Sequence, residues 1–321
     1  MQKVLILPRD NGICFNYRIK PYYSITSDIE FVFSNEISNE QVEDKTINAV
    51  LLQRPDHPIC PTYITQMKKA SKTVVVETDD DLSIVEGTNS NFEYFRNGIK
   101  HYVESLKLAD HIHVSTPELA TFKKCVVFPN AINLAKYNQS PLPKIAQVGW
   151  FGGTSHTASL ELIKPAIQEL INNSVKVLLC GNVEWLYSIF KPHPNLITQA
   201  WDKVNPHLPY SQVEVNLAPL TNTTFSQKKS ELRLLESGAW SIPSVSSSVS
   251  PYIRFNNVSG GANTLIKKEK ARYWVEEVMK LLNNEELRKE KGRLSRKAVE
   301  EHYDLNFVNN RRLEWWKKIL K

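Results

Sequence analysis

The chain has 321 residues, more than one ordinary core accommodates and suited to two domains of roughly 150 residues each. An apolar fraction of 41% with 17 prolines and 7 tryptophans excludes a disordered or fibrous polypeptide, and no apolar run approaches the roughly 20 residues that span a bilayer. The net charge of +6 is a modest bias toward anionic partners, whether nucleotide, nucleic acid or membrane surface. Cys14, Cys60, Cys125 and Cys180 are scattered without a CxxC pair, which indicates neither a zinc site nor a disulfide framework. The opening MQKVLILPRD is too short before its Pro-Arg-Asp for a signal peptide, so a cytoplasmic location is expected.

Residues 3–7, KVLIL, form an apolar run closed by Pro8, and Asp10-Asn11-Gly12 supplies turn chemistry, which predicts a buried strand and then a loop. Runs at 49–52 and 73–76 end at Gln53-Arg54-Pro55 and at Glu77-Thr78-Asp79-Asp80-Asp81, with a helix over 61–70 between them. Apolar runs without alternation, separated by helices, predict a parallel sheet covered on both faces whose strand ends carry the functional loops. Asp79, Asp80 and Asp81 sit at one such end. They serve either as a cap and first-turn acids ahead of Leu82 and Ile84 or as carboxylates facing donors in a site. A helix over 92–109, with Phe95, Ile99, Tyr102, Val103 and Leu106 on one face, precedes a strand at 111–114. A helix start at Ser115-Thr116-Pro117-Glu118 and a strand at 126–128 follow, and residues 138–143, NQSPLP, read as a linker.

The strand pattern restarts at 145–151 and runs into Gly152-Gly153-Thr154-Ser155-His156 before a helix over 158–171. A glycine pair there lets backbone N–H groups approach a phosphate with no Cβ in the way, although it is neither GxGxxG nor a Walker loop and also suits a plain tight turn. Strand 175–179 ends at Cys180-Gly181-Asn182 and strand 213–217 at Ala218-Pro219-Leu220, so three loops converge on one edge of a second sheet. Residues 225–243, FSQKKSELRLLESGAWSIP, read as a helix on which Lys229, Arg233 and Glu236 lie within about 60° of one another, opposite Leu234, Leu235 and Gly238. Lys229 and Arg233 are like charges four apart, an arrangement relieved by a phosphate at the helix start; the plainer reading is a solvated face on which Glu236 offsets Arg233. A strand at 242–246 and helices over 271–282 and 285–302 follow. A last helix over 305–321 carries Arg311, Arg312, Lys317 and Lys318 beside Trp315 and Trp316, a surface for nucleic acid or membrane, or a packing anchor.

The ordered series VLLQRP, VVVETDDDL, ADHIHVST, VVFPNAIN, VGWFGGTSH, LAPL, KKSELRLLESGAWSIP and EEHYDL resembles the retaining GT-B glycosyltransferases similar to family 4, in their compact phage or bacterial form. The resemblance spans nearly the whole chain. It implies an α/β protein with two Rossmann-like domains whose parallel sheets face a central cleft. Residues 1–140 would bind the acceptor, 141–303 a nucleotide diphosphate sugar, and 304–321 would form a helix packing back on the first domain. It further implies a UDP-sugar donor, UDP-glucose foremost, no metal and no other cofactor. The acceptor would be a hydroxyl: a hydroxymethylated base in DNA, a glycan, a lipid-linked sugar or a protein.

Carried over residue by residue, Gly152, Gly153 and Gly181 resemble the loops that meet the donor, Lys229 and Ser230 the phosphate-facing pair with Arg233 beside them, and Glu236 the carboxylate that holds the ribose hydroxyls. Many relatives carry two glutamates with seven residues between them; the first position here is Lys228. Relatives also often have a histidine where this chain has Asp79 and Asp80, which implies an aspartate against the sugar or acceptor. Arg18 resembles a cleft-facing arginine on the acceptor side. Lys229 would then stabilise the negative charge of the departing β-phosphate. Two other readings stand beside this one: a nucleotide-sugar epimerase of the same fold, and a non-enzymatic nucleic-acid-binding protein.

Overall fold

The computed structural model describes residues 2–87, 92–122, 124–201 and 205–321. The apolar runs become the strands of two parallel sheets. In the first, β1 (Gln2–Leu7), β2 (Ile29–Phe33), β3 (Ile47–Gln53), β4 (Thr73–Thr78), β5 (His111–Val114) and β6 (Cys125–Val127) lie in the order β2-β1-β3-β4-β5-β6. In the second, β7 (Val148–Phe151), β8 (Val177–Gly181), β9 (Leu196–Ala200), β10 (Val215–Ala218), β11 (Ser244–Ser247) and β12 (Thr264–Ile266) lie in the order β12-β11-β10-β7-β8-β9. The strands missed by the apolar pattern, β2, β9 and β12, are all sheet edges. Half their residues or more are only partly buried, so they lack the continuous apolar run of a strand covered on both faces.

Strand order fixes where a ligand can enter. The second sheet has the doubly wound order in which direction reverses between β7 and β10, and the first reverses between β1 and β3. At such a reversal the loops leaving the two strands diverge to opposite faces and leave a crevice at the carboxyl ends. The helices cover the faces: α1 (Ile13–Arg18), α2 (Asn39–Glu43), α3 (Cys60–Lys69), α4 (Phe92–Arg96) and α5 (Ile99–Leu108) belong to the first sheet. Then follow α6 (Thr157–Asn172), α7 (Val183–Ile189), α8 (Thr224–Gln227), α9 (Leu232–Ala239), α10 (Ser250–Val258), α11 (Ala271–Asn283), α12 (Glu285–His302) and α13 (Leu305–Ile319). Leu160, Ile163, Ile167 and Leu170 of α6, at helical spacing, share one core with Val148, Trp150, Val177 and Leu179 of the central strands. Among the described residues no helix is long and apolar enough to cross a membrane.

Two helices read from the pattern are broken in the structure. The 92–109 segment splits into α4 and α5 at Gly98, where a Cβ would stand 2.7 Å from the Asp56 carbonyl oxygen. The 225–243 segment splits into α8 and α9, leaving Lys229 and Ser230 between helices rather than on one. A hydrogen bond explains the break: the Lys228 carbonyl accepts from Thr116 Oγ1 of the first domain at 2.9 Å instead of from the backbone one turn on. The start at 115–118 yields only a single turn over Pro117–Leu119.

The last helix crosses back to the first sheet. Ile132 N donates to Tyr303 O and Leu305 N to Ile132 O, so the two connections between the domains lie side by side. Trp316, fully buried, packs in α13 against Ile6, Ile19, Tyr22 and Val75, and Val308 packs against Phe128 and Ala131. The two tryptophans are therefore anchors of the first domain, with the His113 ring 4.3 Å from Trp315.

Arg18 does not face the cleft. It is 1% exposed, donating through Nε to Glu77 Oε1 at 2.5 Å and through Nη1 to the Phe128 carbonyl. The sequence distance from β1 is right for a cleft residue, but the last turn of α1 directs its basic side chain inward, where Glu77 of β4 compensates the charge. Removing one member of a buried pair strands the other. Arg18→Ala is expected to lose about 3–5 kcal/mol of stability in urea titration, with the fraction that stays folded retaining wild-type ligand affinity.

Candidate active site

The carboxyl ends of both sheets enclose a cavity of about 440 Å³. On the second domain its wall begins where β7 ends. Gly152 N donates to the Cys180 carbonyl at 3.0 Å, and a Cβ on Gly181 would stand 2.5 Å from the Gly152 carbonyl oxygen, so the two loops pack backbone on backbone. Gly153, by contrast, has none of the described residues within 4 Å of where a Cβ would sit and opens on the cavity. Only this second glycine matches the expected open approach. The Gly152 amide is already committed to Cys180.

Lys229 and Ser230 enter from the break between α8 and α9. Lys229 Nζ lies 4.4 Å from the centroid of the Phe225 ring, and Ser230 Oγ accepts from Asn130 Nδ2 of the first domain at 2.8 Å. On α9, Arg233 donates through Nη1 to the Pro219 carbonyl at 3.2 Å. Among the described residues its Nη2 is enclosed without a hydrogen-bond acceptor, and a Cβ on Gly152 would meet it at 2.8 Å, so the glycine is what lets the guanidinium lie under the loop. Glu236, 5% exposed, accepts from the Tyr17 hydroxyl of the first domain and from the Tyr210 hydroxyl at 2.8 Å. Burial pushes its carboxyl pKa up; the two phenols and then Arg233 pull against it.

The first-domain wall centres on Arg54, which the sequence presents only as the end of a strand before Pro55. Its φ of 42° is uncommon for a bulky residue, and the turn is held by Arg54 N donating to the Glu77 carbonyl at 2.8 Å. The guanidinium donates through Nε to Asp79 Oδ1 at 2.6 Å and through Nη2 to Asp80 Oδ2 at 2.9 Å. Against burial, Arg54 with Cys14 and Arg18 holds the Asp79 carboxyl below its ordinary range. The second oxygen of Asp80 meets Lys229 Nζ at 3.3 Å, across the cleft. Asp81 caps the turn at Leu82–Ile84 and pairs with Lys228 at 2.8 Å. The three acids therefore divide: Asp81 takes the capping role, while Asp79 and Asp80 face donors.

The cavity thus brings together Asp79, Asp80, Gly152, Gly153, Gly181, Lys229, Ser230, Arg233 and Glu236, and leaves Arg18 out. It adds Tyr17, Arg54, His156 and Tyr210. His156 stands in the glycine loop and precedes α6; burial, then Arg233 and Lys229, hold its pKa well below the ordinary imidazole value. The two tyrosines carry no local signal, because their partner lies 219 and 26 residues away along the chain. Among the described residues no group of three or more His, Cys, Asp or Glu side chains is arranged to hold a metal ion.

No protein-family model and no curated protein sequence matches the chain. Solved structures do match it along its whole length. It is similar to a glycosyltransferase from Rickettsia africae at 13% identity, covering 100% of this chain and 99% of that one with a TM-score of 0.72. It is similar to Anabaena HepE in complex with UDP-glucose at 11% identity, covering 99% and 100% with a TM-score of 0.72. An alpha-glucosyltransferase in complex with UDP and a 13-mer DNA containing an HMU base matches at 13% identity, covering 98% of each chain with a TM-score of 0.65. The chain has the GT-B fold, two doubly wound α/β domains whose strand ends face each other across the cavity.

Proposed function

We propose that the protein is a retaining glycosyltransferase that moves a sugar from a UDP-sugar, UDP-glucose foremost, to a hydroxyl acceptor. The observation that carries this reading is the meeting of Lys229, Arg233 and the open Gly153 loop with a buried carboxylate, Glu236, on one cavity at both sheets' switch points. Two cations and a bare loop suit a diphosphate, and an ionised carboxylate accepts from two vicinal hydroxyls. The fold's likeness to UDP- and UDP-glucose-bound structures supports the donor.

In the proposed reaction the bond from the sugar C1 to the β-phosphate oxygen breaks and a bond from C1 to the acceptor oxygen forms on the same face. The acceptor proton passes to the departing phosphate oxygen, so no protein base is required. Asp79 would be a poor base in any case, since Arg54 holds it ionised. Charge on the leaving group grows as the bond breaks, and Lys229 with Arg233 stabilises it more in the transition state than in the ground state. Lys229 is tied to Asp80 through a contact on which both side chains are 21% exposed, and a pair in that setting is worth about 1 kcal/mol or less. A diphosphate therefore draws Lys229 over at little cost. Asp80, still held by Arg54, is then left facing the transferred sugar, with Asp79 and Arg54 fixing it from behind.

For the acceptor we put a hydroxymethylated base in DNA first, on the net charge of +6 and the likeness to the DNA-bound glucosyltransferase. Radiolabelled UDP-glucose is expected to label DNA carrying hydroxymethylated pyrimidines and not the unmodified duplex. Label found only on an oligosaccharide or lipid-linked sugar would replace that acceptor, and conversion of the donor alone to a second nucleotide sugar would instead make the protein an epimerase.

Lys229→Ala is expected to lower kcat by about 10²–10³-fold in a protein that melts normally, as loss of one preorganised donor does elsewhere. Near-normal transfer by that variant would remove Lys229 from the chemistry. His156 supplies a separate check. Burial and then Arg233 and Lys229 depress its pKa, and a bound diphosphate offsets the two cations, so UDP binding is expected to raise that pKa and to be accompanied by proton uptake as the pH is lowered. Calorimetry in buffers of different ionisation enthalpy should register that uptake, and His156→Gln should abolish it.

A further inference from the structure

Glu236 meets a phenol on each of its two oxygens, and one of those phenols comes from the opposite domain. Tyr17 of α1 donates to Oε1, and Tyr210, in the turn Leu208–Gln212, donates to Oε2. An ionised carboxylate has about four lone-pair sites, two on each oxygen. Two are filled. One remains on each oxygen, and two adjacent acceptors match two hydroxyls on neighbouring carbons. Burial pushes both phenol pKa values up, so each stays a protonated donor toward the carboxylate.

We propose that Tyr17 and Tyr210 are positioning residues that hold Glu236 as a carboxylate with one free lone pair per oxygen, and thereby make the site select a ribose 2′,3′-diol over a deoxyribose. The proposal rests on the reading that Glu236 faces the ribose. It adds that the nucleotide site of the second domain is completed from the first, since Tyr17 reaches Glu236 across the cleft. A protonated Glu236 would present a donor of its own and lose one acceptor site, so the phenols also guard the ionised form. The groups facing this carboxyl are Tyr17, Tyr137, Tyr210 and Arg233; Lys20, Lys136 and His207 line the smaller pocket on its other side.

The test uses the full chain with UDP and 2′-deoxy-UDP as probes, titrated calorimetrically from pH 5.5 to 8. Wild type is expected to prefer UDP, with binding lost on the acid side as Glu236 takes a proton. In Tyr17→Phe and Tyr210→Phe, UDP affinity should fall about 10-fold or more, the size expected for a hydrogen bond to a charged group. The preference over 2′-deoxy-UDP should shrink, and the acid limb should move to higher pH, because the carboxyl has lost a donor that favoured its ionised form. Tyr17 is only partly buried, at the edge of the cluster of Tyr137, Leu234 and Leu235, whereas Tyr210 is fully buried, so Tyr17→Phe serves where Tyr210→Phe melts early. Wild-type affinity, preference and acid limb in the folded variants would overturn the proposal. So would an equal loss for both nucleotides with an unmoved acid limb, which a mere domain latch produces. Glu236→Gln separates the two levels: if it binds UDP and 2′-deoxy-UDP as wild type does, the ribose reading itself fails.

Discussion

Three adjacent carboxylates at the end of β4 have to be neutralised, and the way they are neutralised organises the cleft. Arg54 takes Asp79 and one oxygen of Asp80 from within the first domain, whereas Lys229 and Lys228 take Asp80 and Asp81 from the second. The two kinds of pair differ in strength. Arg54 and Asp79 are about 10% exposed, and losing one would strand a desolvated charge at a cost of several kcal/mol. The lysine contacts are wetter and weak. The acids are thus fixed in place by one domain and lightly held by the other, and the light contacts are those an anionic ligand can exchange.

The same division runs along the rest of the interface between the domains. Arg254 bridges Glu118 of the first domain and Glu231 of the second, Asn130 holds Ser230, and Thr116 holds the Lys228 carbonyl. Lys228, Ser230 and Glu231 all lie in the break between α8 and α9. The break is therefore a product of the interface, and the segment carrying Lys229 takes its shape from residues on the other side of the cleft.

That dependence explains what the sequence made legible. Central strands buried on both faces write themselves as apolar runs, and their ends point to Asp79, Gly152, Gly181 and the segment after β10. The chemistry of Lys229, Arg233 and Glu236 was visible as charge at local spacing. Helical spacing was the wrong frame for Lys229, because Thr116 overrides the local preference from 112 residues away. Tyr17 and Tyr210 were invisible for the same reason, as nothing near them in sequence marks a partner. Arg18 was misplaced because an arginine after a strand reads alike whether it faces a cleft or a buried glutamate, and only the fold brings Glu77 beside it.

The return of α13 to the first sheet has a consequence for how the protein is made. Ile6, Tyr22 and Val75 lack their cover until Trp316 arrives, roughly 190 residues after β6 ends. At 5–20 residues per second that is about 10–40 s of synthesis with an apolar face open. By then β7 to α12 have all emerged. The core shared by α6, α11 and the central strands of the second sheet is therefore complete in sequence before the first sheet gains its last cover, reversing the usual order in which the N-terminal unit finishes first.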